Sequence, residues 1–133
     1  IPSRVRLNVD LRDTEIQRRD GLMRAIEASC HSISAKRQVS IRSELLNSDA
    51  PANCAPEIIE VLAQSCRRHG INFLPMVSRA YHDSLFISRI APVAMLFIPC
   101  RNGYSHRPDE YAAPKDIARG TLVLAETLAA LSR

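Results

Sequence analysis

Residues 93–99 read Val-Ala-Met-Leu-Phe-Ile-Pro, a continuous apolar run in which no polar side chains alternate with the apolar ones. This pattern is typical of a strand that is covered on both faces in a parallel sheet. A second short apolar run, residues 71–77, precedes it and predicts another strand. The predicted fold of the second part of the chain depends on these two strands.

Helical patterns flank and separate the two runs. Pro56 opens a helix for which Gly70 is a suitable C-terminal cap, a short helix ends near Arg89, and Pro114 opens the final helix. The apolar face of the final helix is predicted to consist of Ile117, Leu124, Leu128 and Leu131. The order helix, strand, helix, strand, helix predicts a layered α/β domain.

The first part of the chain has a different pattern. Residues 4–12 read Arg-Val-Arg-Leu-Asn-Val-Asp-Leu-Arg, and this alternation predicts a half-buried strand. A helix over residues 14–36 follows, with Thr14 and Gln17 at the spacing of a capping box. A further strand is predicted near residues 39–45. Strand, helix and strand together predict half of a small α+β domain.

The composition is that of an ordinary globular protein, with 46% hydrophobic and 24% charged residues. On size alone, roughly two thirds of the chain surface is expected to be buried on folding. The net charge of +4 is scattered without interleaved aromatic residues, which argues against a nucleic-acid surface. No apolar run approaches the roughly 20 residues of a membrane helix. Four cysteines without a C-x-x-C pair argue against a zinc site or a disulfide framework.

Two polar loops follow the predicted strands, and each contains a histidine. His82 lies in residues 78–84, and His106 lies in the loop after the second strand. Because ligands of open α/β sheets bind beyond the carboxyl ends of the strands, both are candidate site residues. The other two histidines, His31 and His69, fall within or at the ends of predicted helices and are predicted to be bystanders.

The chemistry of these loops leaves alternatives open. His106 is either a metal ligand, since neutral imidazole binds zinc- and manganese-type ions, or a surface-loop histidine. Asp109 or Glu110 could orient its ring, or both could be solvated charges. His82 with Asp83 could form an acid/base or anion-contacting pair, or Asp83 could cap the next helix.

Two further residues have equally open readings. Tyr81 has a phenol that could hold a substrate, although a tyrosine beside a strand end is more often a packing residue. Arg12 ends the polar face of the first predicted strand, and a guanidinium can bind a carboxylate through two parallel hydrogen bonds. The alternative for Arg12 is an ion pair with Asp10 or Asp13.

Three motifs carry a family resemblance: Ser-Arg-Ala-Tyr-His-Asp-Ser-Leu-Phe at 78–86, Phe-Ile-Pro-Cys at 97–100, and Gly-Tyr-Ser-His-Arg-Pro-Asp-Glu-Tyr at 103–111. They closely resemble the C-terminal part of the plant-type ureidoglycolate amidohydrolases. The opening residues, through Asp-Leu-Arg-Asp at 10–13, resemble the middle of that family's lid domain. The Tyr-His-Asp-Ser sequence is more specific than the Gly-His-Asp-Ala motif usual in allantoate and N-carbamoyl amino acid amidohydrolases.

The resemblance implies a metal-dependent amidohydrolase that converts ureidoglycolate to glyoxylate, ammonia and carbon dioxide in purine catabolism. It implies a dinuclear centre with manganese as the expected metal and His106 as one ligand. Arg12 would contact the substrate carboxylate in a partner subunit's site. Tyr81 and His82 would line the substrate pocket, and His82 would also act in catalysis.

The resemblance also assigns the two parts of the chain. Residues 1–47 would be part of a lid domain that forms a homodimer, and residues 48–133 would be the C-terminal segment of the catalytic domain. The family's other metal ligands and its general-base glutamate have no counterpart here, so we expect a fragment that is inactive alone and binds metal weakly. The ring of His106 is expected to face inward at the mouth of a buried sheet.

Three points stay open. The alternative functions are an allantoate or N-carbamoyl amino acid amidohydrolase, and a non-catalytic dimerisation or binding module. Arg101-Asn102 departs from the plant pattern of the loop, which leaves the substrate open. The resemblance implies the endoplasmic reticulum for a plant-type protein and the cytoplasm otherwise.

Overall fold

The computed structural model describes residues 3–132, so the predicted domain ends at residues 1, 2 and 133 lie outside the described range. Within it the chain forms α1 (Ile16–Arg37), α2 (Pro56–Arg68), α3 (Ser84–Ile87), a 3-10 turn (Arg101–Gly103) and α4 (Pro114–Leu131). The chain divides into two compact units, Ile1–Ala52 and Asn53–Arg133. Among residues 3–132, no helix combines the length and apolar character needed to cross a membrane.

The four predicted strands do not form among the described residues. The runs concerned are residues 4–12, 39–45, 71–77 and 93–99. Most backbone hydrogen bonds recorded outside the helices close turns and caps, and the two longer-range ones run from Ala55 to Val93 and from Arg101 to Tyr111. The recorded bonds do not join one of these runs to another. A strand requires a neighbouring chain to pair with its N–H and C=O groups. Because these runs do not pair with one another, the predicted layering is absent from the described part of the chain.

The side chains of these runs are correspondingly exposed. Val5, Leu7 and Val9, whose alternation predicted a half-buried strand, are 71%, 81% and 64% exposed. In residues 93–99, Val93 is buried, but Leu96, Phe97 and Ile98 are exposed, so the run is not covered on both faces.

Helix α1 confirms the helix predicted over residues 14–36 to within two residues at its start. The predicted capping box is wrong, because the N-cap is Glu15 and makes no side-chain capping bond. Instead, Asp13 Oδ1 accepts the backbone N–H of Glu15 at 2.9 Å, and Arg18 binds Asp13 through two side-chain hydrogen bonds. Arg19 joins α1 to the segment that follows it, donating to Ser48 Oγ at 3.0 Å and to the backbone carbonyl of Asp49.

Helix α2 begins at Pro56 as predicted and ends in a Schellman motif at Gly70. The N–H of Ile71 donates to the carbonyl of Cys66 at 2.9 Å, and the N–H of Gly70 donates to the carbonyl of Arg67 at 3.2 Å. Gly70 has φ +60°, which a residue with a Cβ adopts at a cost. This motif releases the chain from α2 into residues 71–77.

The packing of α2 against α4 forms the core of the second unit. The buried residues of the two helices are Ala63, Ser65 and Cys66 on α2, and Val123 and Thr127 on α4. The predicted apolar face of α4 is wrong as a buried face, since Ile117, Leu124, Leu128 and Leu131 are exposed. The helix begins at Pro114 as predicted, but it contacts α2 through a neighbouring face of smaller residues.

Glu126 on α4 is the polar centre of this packing. Its carboxylate accepts hydrogen bonds from Ser65 Oγ at 2.7 Å and from Arg68 Nη2 at 2.8 Å, and its Oε1 lies 2.6 Å from His69 Nε2. Ser65 is fully buried, so Glu126 supplies the partner that its hydroxyl needs. Arg68, followed by His69 and Ser65, lowers the pKa of Glu126 from 4.5 to about 2.

The whole chain buries less surface than its size predicts. A folded monomer of 14.8 kDa exposes about 7,000 Å², whereas this chain exposes 11236 Å². Against an unfolded surface of about 21,000 Å², roughly half is buried instead of two thirds. The buried apolar side chains of the described residues are Ala63, Cys66, Val93 and Val123.

We predict that Gly120→Ala destabilises the chain although alanine favours helices. A Cβ at Gly120 would lie 2.5 Å from Ile98 Cγ2, an atom one bond from a branched Cβ that has little freedom to move. Such overpacking costs about 1–3 kcal/mol, more than the gain of up to about 1 kcal/mol in helix propensity. The matched control is Gly21→Ala in α1, where the nearest atom, Arg24 Nη2, is 3.9 Å away. Thermal unfolding followed by circular dichroism should rank Gly120→Ala below the unchanged chain and Gly21→Ala above it.

We predict that the second unit loses stability as the pH falls from 4.5 to about 2. The folded chain holds Glu126 ionised down to about 2, whereas the unfolded carboxyl binds a proton near 4.5, so protons favour the unfolded chain across this range. Glu126→Gln should flatten the dependence of the unfolding midpoint on pH. Glu57→Gln, which removes an exposed carboxylate at the start of α2, controls for the change in net charge. An unchanged acid transition in Glu126→Gln would contradict the prediction.

Candidate functional site

His82 is held by a serine of its own loop. Its Nε2 lies 2.6 Å from Ser78 Oγ, and both residues are half-buried. The imidazole also packs against Phe97, with ring centres 5.8 Å apart and planes tilted by 51°. The first predicted loop therefore meets the second apolar run at this residue, because His82 lies in that loop and Phe97 lies in that run.

Tyr81 and Asp83 flank His82 in different surroundings. Tyr81 is 51% exposed and meets the ring of Phe86 edge-on, with ring centres 5.8 Å apart. Asp83 occupies the N-cap position of α3 but makes no side-chain capping hydrogen bond there. The aromatic contact fits the packing alternative for Tyr81.

His106 lies in a loop whose two ends are joined. The N–H of Arg101 bonds to the carbonyl of Tyr111 at 2.8 Å, and the guanidinium of Arg101 lies 4.5 Å from the centre of the same tyrosine ring. Arg107 stacks on Tyr104 at 3.8 Å and also binds the carboxylate of Asp109. Arginine–aromatic contacts of this kind stabilise a loop that has no regular secondary structure.

The backbone of His106 is in the left-handed region, with φ +58°. Its N–H donates to Glu110 Oε2 at 2.7 Å, so Glu110 contacts the main chain of His106, and Asp109 pairs with Arg107. The residue is exposed. The expectation of an inward-facing ring at the mouth of a buried sheet is therefore not met within the described chain, where that sheet is absent.

Arg12 belongs to the first unit and is paired with Asp10. Its Nη2 lies 2.6 Å from Asp10 Oδ2, and its Nε donates to the two carboxylate oxygens at 3.0 and 3.1 Å. Arg12 lowers the pKa of Asp10 through this hydrogen bonding. Of the two ion-pair alternatives, the structure shows the one with Asp10, while Asp13 is bound by Arg18.

The described residues do not amount to a metal centre. No three His, Cys, Asp or Glu side chains of residues 3–132 come together in a group that could hold an ion. Within this part of the chain His106 offers one imidazole, and divalent transition-type ions take several ligands. The four cysteines are free, and Cys66 is buried as a small apolar residue.

Sequence reasoning placed Tyr81, His82 and His106 on loops of one unit, and it missed Ser78 as the partner of His82. The signal was available, since the serine precedes the histidine by four residues in the same polar loop. Spacing in a loop does not fix a contact, however, so only coordinates reveal the 2.6 Å approach.

Comparison with known proteins identifies a matching family and several related amidohydrolases. The sequence pattern of peptidase family M20/M25/M40 matches residues 6–130. The ureidoglycolate hydrolase of Arabidopsis thaliana is 43% identical over 133 residues, covering 99% of this chain and 28% of the relative. The N-carbamoyl-L-amino-acid amidohydrolase of Pseudomonas sp. (strain NS671) is 37% identical over 128 residues, or 96% of this chain and 31% of the relative.

The backbone gives the same result. The crystal structure of AtUAH in complex with (S)-hydroxyglycine matches with a TM-score of 0.75 at 42% sequence identity, covering 90% of this chain and 28% of that one. The chain thus spans less than a third of the length of these relatives. The match is consistent with a partial α/β domain.

We predict that the 133-residue chain binds Mn²⁺ only weakly, because its described residues include no cluster of three or more His, Cys, Asp or Glu side chains that could hold an ion. Calorimetric titration should show no saturation at micromolar metal. Replacing His106 by alanine should change this little more than replacing His31, an exposed histidine of α1. Stoichiometric binding of two ions per chain would contradict the prediction.

Proposed function

The chain belongs to peptidase family M20/M25/M40, and on that premise we propose that it is the C-terminal part of a ureidoglycolate amidohydrolase. The complete enzyme would hydrolyse ureidoglycolate to glyoxylate, ammonia and carbon dioxide, as a step of purine catabolism. Amidohydrolases of this family are generally metal-dependent, and we propose manganese as the metal.

One observation carries the substrate assignment. The chain is 43% identical to a ureidoglycolate hydrolase, against 37% for the N-carbamoyl-L-amino-acid amidohydrolase of Pseudomonas. The Tyr81-His82-Asp83-Ser84 sequence supports the same assignment, because it resembles the plant-type enzymes more than those with Gly-His-Asp-Ala. Loops carry the specificity of α/β enzymes, so identity in this loop weighs more than identity in a helix.

Arg12 is proposed to bind the carboxylate of the substrate. Its guanidinium already holds one carboxylate, that of Asp10, through Nε and Nη2. Both side chains are largely exposed, so this pair is weak and a substrate carboxylate could replace Asp10 as the bidentate partner. Asp10 would then keep the guanidinium oriented while the site is empty.

Tyr81 and His82 are proposed to line the substrate pocket, with His82 as the catalytic residue. The imidazole of His82 is half-buried, fixed at Nε2 by Ser78 and restricted by Phe97. A fixed donor directed at an oxygen that gains negative charge lowers the barrier, because it needs no reorganisation during the reaction. Tyr81, about half of whose surface is exposed, would contact the ureido group.

His106 is proposed as one ligand of a metal centre whose other ligands are not among the described residues. Its left-handed backbone is strained for a non-glycine residue and is held by Glu110, and strain of this kind concentrates at functional positions. A single imidazole does not make a metal centre, so the residues that the structure describes define no metal-dependent step.

The two units are proposed to serve different roles. Residues 1–47 would be part of a lid domain that forms a homodimer, and residues 48–133 would be the C-terminal segment of a layered catalytic domain. The exposed apolar side chains of both units support this proposal, because they require cover that the described residues do not provide.

The rival enzyme function is hydrolysis of an N-carbamoyl amino acid or of allantoate, and the 37% identity to a carbamoylase supports it. Arg101-Asn102 departs from the plant pattern in the loop that carries His106, so the polarity of the pocket and the exact substrate stay open. A non-catalytic dimerisation or binding module is the remaining alternative.

We predict that a full-length enzyme carrying this chain prefers ureidoglycolate over allantoate and N-carbamoyl amino acids by kcat/KM, assayed as ammonia or carbamate release. The same assay on the 133-residue chain should show no turnover. Preference for either rival substrate would overturn the substrate assignment. Absence of turnover of all three by the full-length protein would support the binding-module alternative.

A further inference from the structure

The side chain of Ser78 contacts both the ring of His82 and the backbone of its own loop. Ser78 Oγ lies 2.6 Å from His82 Nε2 and at the same time accepts the backbone N–H of Ala80 at 3.3 Å. Both side chains are half-buried, so water does not fully replace a missing partner. The hydroxyl is thus placed between a backbone donor and an imidazole nitrogen.

The hydroxyl proton decides which way the Ser78–His82 hydrogen bond runs. A serine hydroxyl has one proton and two acceptor positions, and a neutral imidazole has one N–H and one acceptor nitrogen. The N–H of Ala80 uses one acceptor position of Ser78. If Nε2–H donated as well, the hydroxyl proton would have no acceptor among the contacts recorded for it. If Ser78 donates to Nε2, then the hydroxyl, the N–H of Ala80 and Nε2 each have a partner, and Nδ1–H is left to donate to water or to a ligand.

We propose that Ser78 is a positioning residue that donates to Nε2 of His82 and thereby fixes the neutral ring as the Nδ1–H tautomer. Nδ1–H is then the group that donates to the substrate oxygen that gains negative charge. The packing of the ring against Phe97 limits its rotation, so the tautomer and the direction of the N–H are set together. The identity of the acceptor rests on the proposed function. The tautomer of His82 does not depend on it.

The test is the tautomeric state of His82, read from the nitrogen shifts of the 133-residue chain labelled with ¹⁵N-histidine at alkaline pH. The His82 signals are assigned by their loss in His82→Gln. We expect a protonated Nδ1 and an unprotonated Nε2 in the unchanged chain. A dominant Nε2–H form there would overturn the proposal without the need for any further variant.

Variants of the serine separate positioning from general folding. Ser78→Ala should shift the tautomer ratio away from Nδ1–H by roughly fivefold, the worth of one net hydrogen bond, and Ser78→Thr should restore it. Ser88→Ala is the matched control, because this half-buried hydroxyl bonds to the carbonyl of Leu85 and does not contact His82. An unchanged ratio in Ser78→Ala would overturn the proposal.

Activity of the full-length enzyme then separates the positioning role of Ser78 from the catalytic role of His82. Ser78→Ala should lower kcat more than it raises KM, with rescue by Ser78→Thr. If the tautomer shifts while kcat for all three ureido substrates is unaffected, Ser78 positions the ring as inferred and the catalytic role proposed for His82 is wrong.

Discussion

The packing of α2 against α4 is the interaction on which the second unit depends. Three of the four buried apolar side chains, Ala63, Cys66 and Val123, lie in this contact. The fourth, Val93, is connected to it through the backbone, since its carbonyl accepts the N–H of Ala55 at 2.7 Å, just before α2. Small residues let the helices approach closely, and Glu126 satisfies the polar groups that this approach covers. The loops carrying His82 and His106 connect elements held by this one contact.

The helices could be predicted from the sequence because their signals are local. Pro56, Pro114 and Gly70 mark helix ends by backbone preferences that act within a few residues. The start of α1 could not be predicted so well, since Asp13 and Thr14 both suit a cap, whereas Glu15 is the N-cap and Asp13 accepts its backbone N–H. The strands could not be predicted from local signals. Alternation indicates which side chains would be buried, whereas a strand forms only when its backbone forms hydrogen bonds with another segment.

In the candidate site, too, the residues were easier to predict from the sequence than their contacts. Reasoning from loop position selected His82 and His106 and set aside His31 and His69. For His69 the structure gives a specific reason, because its ring lies against Glu126 in the packing of α2 on α4. The partners of the candidates were harder to predict. Asp10 for Arg12 was one of two alternatives, Glu110 was one of two candidates for orienting the ring of His106 and binds its backbone, and Ser78 was missed. Contacts within loops depend on backbone geometry that residue order does not specify.

The exposed runs of alternating and continuous apolar residues have a consequence for handling the molecule. Val5, Leu7 and Val9 in one unit, and Leu96 to Ile98 in the other, present β-favouring side chains without a hydrogen-bonded neighbour. Such segments are templates for pairing with identical segments of other molecules, and the rate of that pairing grows with concentration. Overproduction of the 133 residues alone would therefore favour inclusion bodies and chaperone capture, and co-production with a polypeptide that covers these runs would keep them in solution.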